Sequence, residues 1–505
     1  MNQTVLDYLE ASARKNGEKT ALIDENRRMT YAETLTAARR IASFLIRRDE
    51  GVNEPVAVLI DRNVESVCCF FGIAMTRNFY VPVDASQPVQ RVMTILKQMR
   101  PKAIISIRNF PETLREEVRI PVYEYDAMMT EEADLPALER IRGEILDVDP
   151  LYAICTSGST GVPKGVLIAH RSVSDFIPVF TRTFGFTEEE VFGNQAPFDF
   201  DVSVKDIYSA VYLGAAMVII PRVCFAMPKK LVEFLDDYRI TTVIWAVSAL
   251  CVAAGFNAFR HRVPSRLRNV LFSGEVMPVR MLNIWRSYLP EAMYVNLYGP
   301  TEITCNCSYY IVDRPFGETE KLPIGKAFDN EEMLVLTEDN RPVRKGETGE
   351  ICVKGTCLAL GYYRDPERTA AAFVQNPLND AYPDLIYRTG DLAELRDDGQ
   401  YYFAARKDSQ IKHMGHRIEL EEIEAHLNAV PGVIQSCCMF DEERNKIVAF
   451  YAGETEKQEL VTALRDQLPK YMIPNIFLRR ERLPLNKNGK TDRQALKKMY
   501  FTEGG

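Results

Sequence analysis

Short apolar runs alternate with stretches of helical periodicity through residues 1–406, and this alternation restricts the fold more than any other feature. The runs VAVLI (56–60), KAIISI (102–107), AMVII (216–220), TTVIW (241–245) and NVLF (269–272) have the length and composition of buried strands. A helical stretch, TYAETLTAARRIASFLIRR, opens with a capping box from Thr30 to Glu33. Strands that alternate with helices in this way predict an α/β fold of layered sheets.

The pattern changes near residue 407. Before it lie short strands with glycine turns, such as GEICVKG and DDGQYYF. After it we predict a helix from about Ile418, strands GVIQSCCMF and KIVAFYAG, and helices ELVTALRDQL and TDRQALKKMY. The sequence therefore predicts a large N-terminal core over 1–406, a link at 407–409, and a small α+β domain over 410–505.

Composition excludes several classes of protein. The chain has 505 residues, a net charge of −8 and 46% apolar residues, which indicates a soluble protein of two or more domains rather than a general nucleic-acid binder. Its 11 cysteines include no CxxC pair, so we expect reduced thiols and no zinc site. The N-terminus has no signal-peptide pattern, and the apolar run VCCFFGIAM is too short for a membrane span. We therefore expect a cytoplasmic monomer without membrane insertion.

The loop CTSGSTGVPKGV, from Cys155 to Val166, has the composition of a phosphate-binding loop. It is not a Walker A loop, because its lysine, Lys164, precedes a glycine and an apparent strand instead of opening a helix. Backbone N–H groups, four hydroxyls and one lysine can surround an anion in such a loop. On composition alone, a solvated loop is an equally good interpretation.

The string YAICTSGSTGVPKGVLIAH resembles the phosphate loop of the adenylate-forming (acyl-activating) superfamily, and in particular that of amino-acid adenylation domains. Seven further stretches match motifs of that family in the same order: FYVPVDASQPVQRV (79–92), FDFDVSVKDIY (198–208), NLYGPTEITCN (296–306), YRTGDLA (387–393), ARKDSQIKHMGHRIELEEIE (405–424), LPKYMIPNIF (468–477) and LPLNKNGKTDR (483–493). The resemblance covers nearly the whole chain. Within the family, NQAPFDFDVSVKDIY and LFSGEVMP are most similar to stand-alone D-alanine–carrier protein ligases.

The resemblance implies a reaction in two halves. A carboxylate attacks the α-phosphate of ATP to give aminoacyl-AMP and pyrophosphate, and a carrier protein's phosphopantetheine thiol then displaces AMP. The residues implied to hold the β- and γ-phosphates are Thr156, Ser157, Gly158, Ser159, Thr160, Gly161 and Lys164. Tyr298 would stack on adenine, Thr301 would contact the α-phosphate, and Glu302 would bind Mg²⁺. Asp391 would accept hydrogen bonds from the ribose, with Arg406 nearby.

The same resemblance assigns the catalytic cations. Lys490 would reach both the substrate carboxylate and the α-phosphate in the first half-reaction. The C-terminal domain would then rotate about a hinge at Asp408, which brings Lys412 and Gly415 to the site for the second half-reaction. Ala405 replaces a glycine that the family usually has next to the hinge.

The implied amino-acid pocket favours a small α-amino acid. Asp201 would pair with the α-ammonium, and an acid without that group would leave a carboxylate unpaired. The other implied pocket residues are Val202, Lys205, Trp245, Leu271, Ser273, Leu297, Cys305 and Asn306. Trp245 would fill much of the volume, and Ser273 and Asn306 would suit a hydroxyl. Lys205 either points outward or pairs with an acidic side chain, and D-alanine and serine both remain open.

Three functions fit these motifs. The first is ligation of an amino acid to a separate carrier protein in trans, since no carrier motif follows within the sequence. The second is an acyl-CoA synthetase of the same fold, which Asp201 disfavours. The third is a catalytically silent adenylate-binding regulator, which the presence of Lys164, Glu302, Asp391 and Lys490 disfavours.

Overall fold

The structure is a computed structural model that describes residues 4–48, 51–108, 110–158, 162–485 and 491–502. Its strands, in chain order, are β1 (Thr20–Ile23), β2 (Arg28–Thr30), β3 (Pro55–Ile60), β4 (Phe79–Asp84), β5 (Ala103–Ser106), β6 (Val122–Glu124), β7 (Pro150–Thr156), β8 (Lys164–Ala169), β9 (Val191–Asn194), β10 (Ala216–Ile219), β11 (Thr242–Ala246), β12 (Asn269–Ser273), β13 (Met293–Tyr298), β14 (Ser308–Ile311), β15 (Lys326–Ala327), β16 (Glu331–Leu336), β17 (Thr348–Gly355), β18 (Gly361–Tyr362), β19 (Phe373–Gln375), β20 (Leu385–Leu395), β21 (Tyr401–Arg406), β22 (Gln410–His413), β23 (His416–Glu419), β24 (Val433–Asp441), β25 (Lys446–Gly453) and β26 (Ile476–Arg480).

The helices are α1 (Val5–Asn16), α2 (Tyr31–Ile46), α3 (Val64–Ala74), α4 (Val89–Met99), α5 (Glu112–Arg115), α6 (Tyr125–Met129), α7 (Leu135–Glu144), α8 (His170–Thr183), α9 (Val202–Leu213), α10 (Arg222–Ala226), α11 (Pro228–Asp237), α12 (Val247–Gly255), α13 (Val279–Tyr288), α14 (Pro366–Ala372), α15 (Leu420–Asn428), α16 (Lys457–Arg465) and α17 (Arg493–Thr502). The predicted capping box of α2 is confirmed, because the Thr30 hydroxyl accepts the backbone N–H of Glu33.

Two large sheets form the N-terminal core. The nine-stranded sheet has the order β15-β14-β13-β12-β11-β9-β10-β1-β2, and its inner strands from β13 to β1 are parallel. The seven-stranded sheet has the order β18-β8-β7-β4-β3-β5-β6, in which the pairs from β7 to β6 are parallel. One apolar core joins helices α2, α3 and α9 to both sheets. The predicted α/β layers are confirmed.

A five-stranded antiparallel sheet of β16, β17, β20, β19 and β21 completes the core and leads into the C-terminal domain. There, hairpin β22–β23 precedes a three-stranded sheet, β24-β25-β26, that packs with α15, α16 and α17. The helix predicted from about Ile418 begins instead at Leu420, because Ile418 pairs with Ile411 in the hairpin. Among the described residues, none of the helices is long and apolar enough to cross a membrane.

Glu331, at the start of β16, is a buried carboxyl beside the thiol of Cys357, and burial raises its pKa well above the usual range. The folded protein therefore binds this proton more tightly than the unfolded chain does. This contribution to stability is present at acidic pH and is lost as the pH rises from about 4.3 toward the folded pKa. We expect Glu331→Gln to flatten the decrease in unfolding free energy between pH 5 and 8, measured by urea denaturation. An unchanged pH slope would contradict the assignment.

Candidate active site

A cavity of about 90 Å³ lies where the carboxyl ends of β7 and β12 meet residues 299–305 and the hairpin β22–β23. Clefts at the carboxyl ends of parallel strands are the usual ligand sites of α/β proteins. Eleven of the predicted site residues line it: Thr156, Ser157, Asp201, Val202, Ser273, Thr301, Cys305, Asp391, Arg406, Lys412 and Gly415. The fold thus brings together residues that are far apart in the sequence.

Glu302 lies behind the residues that line the cavity, and its side chain is fully buried. The Tyr362 hydroxyl donates to its Oε1 at 2.8 Å, Lys164 Nζ lies 3.3 Å from the same oxygen, and Arg417 donates to Oε2 at 2.6 Å. Burial alone would raise the pKa of Glu302, but Arg417 and Lys164 together hold it well below its usual range. Burial, and then repulsion by Arg417, lower the pKa of Lys164 to about 8. Burial thus favours the neutral form of Glu302, and the two neighbouring cations outweigh it and favour the charged carboxylate.

The glycine-rich loop begins at the end of β7. The Ser157 hydroxyl donates to the carbonyl of Arg417 at 2.8 Å and accepts the N–H of Glu419 at 3.1 Å. The Thr156 hydroxyl is buried without a hydrogen-bond partner in the described part of the chain. A Cβ at Gly158 would lie 2.1 Å from the Val162 carbonyl oxygen, so only glycine fits there. The predicted loop residues Ser159, Thr160 and Gly161 lie outside the described residues, as does Lys490.

A chain of hydrogen bonds runs from Tyr298 to the link between the domains. The Tyr298 hydroxyl donates to Asp391 at 2.7 Å, and Arg406 donates to the other oxygen of Asp391 at 2.6 Å. Arg406 also makes a bidentate pair with Asp408, with both distances 2.7 Å. The predicted hinge residue is therefore fixed to the predicted ribose site in this arrangement of the domains.

Hairpin β22–β23 brings the C-terminal domain into the cleft. Lys412 Nζ lies 5.7 Å from the ring centroid of Tyr298, and burial lowers the pKa of this lysine although Asp391 opposes the shift. At the tip, Gly415 has φ +80° and donates its N–H to Glu275 at 3.0 Å. The ring of His416 stacks on Tyr471 with centroids 3.5 Å apart. Lys412 and Gly415 thus occupy the cleft here.

Asp201, the predicted partner of the α-ammonium, lines one end of the cavity just before α9. Burial raises its pKa, while the nearby Lys205 cation opposes that shift. The Cys305 thiol donates to the Asp201 carbonyl at 2.8 Å, and Cys305 itself has φ +80°. The Ser273 hydroxyl is buried and has no hydrogen-bond partner among the described residues. This end therefore offers one carboxylate and one free hydroxyl.

Lys205 does not point outward. Its side chain is fully buried, and its ammonium group donates to the Oδ1 atom of Asn306. Its charge also acts on the half-buried carboxylate of Asp201 and on the buried one of Asp206. Leu271 and Leu297 lie behind the cavity in the core between the sheets.

Trp245 does not reach this pocket. Trp245 of β11 pairs with Phe272 of β12. Side chains alternate between the two faces of a strand, so Leu271 and Ser273 lie on the opposite face of β12 from Phe272. The indole N–H donates to the Gly193 carbonyl at 2.7 Å, and the ring packs against Phe225 and Trp285 in a second core. The sequence-based argument that Trp245 limits substrate size therefore has no support in the structure.

Sequence reasoning gave no role to several residues that close the cleft. Arg91 of α4 and Glu422 of α15 form a buried ion pair between the two domains, with side chains 7% and 0% exposed. Four more residues make contacts that close the cleft: Arg417, Glu275, His416 and Tyr471. All of them lie within the quoted stretches, but a motif match does not state which side chains meet across a domain boundary.

A larger cavity of about 520 Å³ lies at the carboxyl ends of β3, β4 and β5. Its charged side chains pair with one another, as Arg222 does with Asp84 at 2.9 Å and Arg108 with Asp61 at 2.7 Å. It shares no lining residue with the smaller cavity, and none of the predicted site residues lines it.

Comparison with known families agrees with this geometry. A sequence profile described as AMP-binding enzyme matches residues 9–363, which is more than half of the chain. The chain belongs to the AMP-binding enzyme family. A second profile, the AMP-binding enzyme C-terminal domain, matches residues 422–490. The adenylate-forming enzyme predicted from the motifs is confirmed, and the residue roles within it stay predictions.

Two curated relatives differ greatly in length from each other. The enzyme is 32% identical to tyrocidine synthase 3 of Brevibacillus parabrevis over 501 residues, covering 98% of this chain and 8% of that protein. It is 31% identical to zwittermicin A synthase ZmaJ of Bacillus cereus, covering 98% of this chain and 95% of that protein. The enzyme thus spans a small part of the first relative and nearly all of the second.

Solved structures share the fold of this adenylation enzyme. The fused adenylation–PCP di-domain NpsA-ThdA from Klebsiella oxytoca superposes with a TM-score of 0.82 at 23% identity, covering 94% of each chain. The o-succinylbenzoate CoA synthetase MenE from Bacillus subtilis superposes with a TM-score of 0.85 at 22% identity, covering 99% of each chain. At these identities the likeness concerns the fold alone.

Proposed function

We propose that this enzyme activates a small α-amino acid to aminoacyl-AMP with ATP and then transfers it to the phosphopantetheine thiol of a separate carrier protein. The observation that carries this proposal is the half-buried carboxylate of Asp201, which lies in the same cavity as Thr301, Asp391 and Lys412. A buried carboxylate is costly unless a cation pairs with it. The α-ammonium of an amino acid is such a cation, and fatty or aryl acids have none.

The nucleotide would be held by the residues that line and back the smaller cavity. Tyr298 would contact the adenine, Asp391 the ribose and Thr301 the α-phosphate, while Thr156, Ser157, Lys164 and the remaining loop residues would hold the outer phosphates. The charged carboxylate of Glu302 fits Mg²⁺, which prefers carboxylate and phosphate oxygens. A bound Mg²⁺ supplies charge that offsets the phosphates. The side chains of this chain orient the reacting groups and exclude water.

Each half-reaction would use its own lysine. Lys490 would bring the substrate carboxylate and the α-phosphate together, and Lys412 would act in the arrangement observed here. The link at 407–409 would be the hinge, which separates a core over 1–406 from a mobile domain over 410–505. Both lysines would act at the same junction of substrate carboxyl group and α-phosphate, so a rotation between the two steps avoids a clash.

The pocket chemistry favours an uncharged side chain, as in D-alanine or serine. Lys205 already faces Asp201 and Asp206, so an acidic substrate side chain is not required to neutralise it. Asn306 uses its oxygen for Lys205 and therefore offers its NH₂ group. The unpaired Ser273 hydroxyl, which lines the cavity, suits a substrate hydroxyl.

We expect Ser273→Ala to lower the preference for serine over alanine by about 10-fold, the effect of one lost hydrogen bond in a buried site. The measurement is kcat/KM for both amino acids in ATP–pyrophosphate exchange, with the exposed Ser287→Ala as the matched control. An unchanged ratio would place Ser273 outside the side-chain pocket.

A second candidate is an acyl-CoA synthetase, because the fold also matches MenE. Radiolabelled amino acid, ATP and either a phosphopantetheinylated carrier protein or CoA would separate the two. Label retained on the carrier protein supports the proposed function, and thioester formed only with CoA supports the alternative. We place the reaction in the cytoplasm, with the enzyme acting as a monomer on a carrier protein in trans.

A further inference from the structure

Arg62 links the two large sheets at the carboxyl ends of their strands. It lies two residues after β3 of the seven-stranded sheet. Its guanidinium group donates to the backbone carbonyls of Asn194 at 3.0 Å, of Gln195 at 2.8 Å and of Ile220 at 2.9 and 3.1 Å. These carbonyls lie where β9 and β10 of the nine-stranded sheet end. Arg62 therefore fixes the ends of β9 and β10 relative to β3.

The same guanidinium group also sets the orientation of the Asn194 side chain. Its Nη2 atom donates to Asn194 Oδ1 at 3.3 Å, and Asn194 Nδ2 donates to Oδ2 of Asp206 at 2.9 Å. An amide has one accepting oxygen and one donating NH₂ group. The opposite orientation would place the NH₂ group against the guanidinium group and the oxygen against the carboxylate. Arg62 thus keeps the Asn194 donor directed at Asp206.

Asp206 depends on that hydrogen bond. Its side chain is fully buried, and its other oxygen, Oδ1, has no hydrogen-bond partner among the described residues. Burial raises the pKa of Asp206 to about 7, against the opposing effects of the Asn194 hydrogen bond and the charges of Lys205 and Arg62. A buried carboxylate is costly unless hydrogen bonds and cations offset its desolvation. The charge on Asp206 is therefore maintained by Asn194 together with the two cations.

Lys205 connects this carboxylate to the amino-acid end of the smaller cavity. It lies one helical turn after Asp201, which lines that cavity. Its ammonium group donates to Asn306, the residue after Cys305, which lines the same cavity. This bond joins the start of α9 to the segment that follows β13. Because a buried ammonium group needs negative charge nearby, Asp206 helps Lys205 to hold these two walls of the cavity together.

We propose that Arg62 is a positioning residue for the amino-acid substrate, acting through Asn194, Asp206 and Lys205 on the walls of the smaller cavity. This rests on the proposed function. Arg62 lines the larger cavity and not the smaller one, so it acts on the substrate only through these residues. None of the hydrogen bonds in this route involves a residue proposed to hold the nucleotide. Arg62 therefore affects binding of the amino acid and not binding of ATP.

The test is amino-acid-dependent ATP–pyrophosphate exchange by full-length Arg62→Ala. The substrates are D-alanine, L-alanine, glycine, D-serine, L-serine and L-cysteine, and KM is determined for the best of them and for ATP. We expect kcat/KM for the amino acid to fall by about 10- to 100-fold, the effect of weakened hydrogen bonds to a buried charged group. The loss should appear as a higher KM for the amino acid, with KM for ATP unchanged.

Guanidinium ions should restore the lost affinity. Arg62 lines the cavity of about 520 Å³, so the space left by its side chain in Arg62→Ala adjoins a volume that a small cation can enter. Guanidinium chloride at a millimolar, non-denaturing concentration should therefore lower KM for the amino acid in this variant, and sodium chloride at the same concentration should not. A general loss of packing would not respond to one cation in this way.

A double-mutant cycle tests the route from Arg62 to the smaller cavity. Asp206→Asn should also raise KM for the amino acid. Arg62→Ala should then add less than about a 2-fold further change, because residues in one hydrogen-bonded network have non-additive effects. Arg62→Lys, which keeps the charge but not the planar fork of donors, is the second variant if Arg62→Ala does not fold. It should show a smaller loss in the same direction.

Arg108→Ala is the matched control, because Arg108 also lines the larger cavity but pairs with Asp61 at 2.7 Å. It should leave both KM values unchanged. Equal losses for the amino acid and ATP without rescue by guanidinium, or fully additive losses in the cycle, would overturn the inference and leave the proposed function standing. A wild-type chain that exchanges with none of these amino acids would reject the proposed function, and this inference with it.

Discussion

Asp201→Asn should lower kcat/KM for amino-acid-dependent ATP–pyrophosphate exchange by about 100-fold or more. The substitution keeps the shape of the side chain and removes the charge that would pair with the α-ammonium. Removing one partner of a buried ion pair typically costs about 3–5 kcal/mol, which corresponds to at least two orders of magnitude in rate. Most of the loss should appear in KM, because the α-ammonium stays charged throughout the reaction and its pairing is the same in the ground and transition states.

The exposed Asp175→Asn on α8 is the matched control and should leave exchange unchanged. Binding of ATP alone to Asp201→Asn should also be unchanged, which separates a pocket effect from misfolding. If Asp201→Asn keeps wild-type exchange, the carboxylate does not hold the substrate and the pocket lies elsewhere.

Lys490→Ala should lower adenylation by about 100- to 1,000-fold, the range expected when one positioned charge is removed from a reacting centre. Transfer from separately supplied aminoacyl-AMP to the carrier protein should remain near the wild-type rate, because Lys412, which lies in the cleft in the observed arrangement of the domains, is left intact. Lys490 lies outside the described residues, but Arg493 nearby is held to Glu424 by hydrogen bonds of 2.6 and 2.9 Å.

Two measurements on one preparation decide this point: pyrophosphate exchange for the first step, and single-turnover loading of the carrier from aminoacyl-AMP for the second. Lys497→Ala, an exposed lysine on α17, is the control for a change of charge in the same basic tail. Equal losses in both steps would contradict the prediction that Lys490 acts only in the first half-reaction.

Much of the fold could be predicted because local patterns agree with the final structure. The run VAVLI is buried on both faces as part of β3, and the Thr30–Glu33 capping box starts α2. The strand β26 was missed, since its sequence IFLRR has no clear alternation and ends in two arginines. Its place is set by pairing with β25, which is a long-range contact.

The candidate site could be predicted where a sequence motif specifies both a functional side chain and the backbone segment that carries it. Tyr298, Asp391 and Arg406 come from three motifs and form one hydrogen-bonded chain. The outcome for Trp245 shows the limit of this reasoning, because one step along a strand reverses the face to which a side chain points. Arg417 and Glu422 were missed since their partners lie in the other domain, and their pairing depends on how the two domains meet.

The central claim is that this enzyme adenylates a small α-amino acid, and ATP–pyrophosphate exchange with the purified chain tests it most directly. The panel would include D-alanine, L-alanine, glycine, L-serine, D-serine, L-cysteine and L-aspartate, together with aryl and fatty acids. The account predicts strong exchange with one small, uncharged α-amino acid and none with the acids that lack an α-ammonium. Exchange driven by an aryl or fatty acid, or by no α-amino acid in the panel, would contradict it.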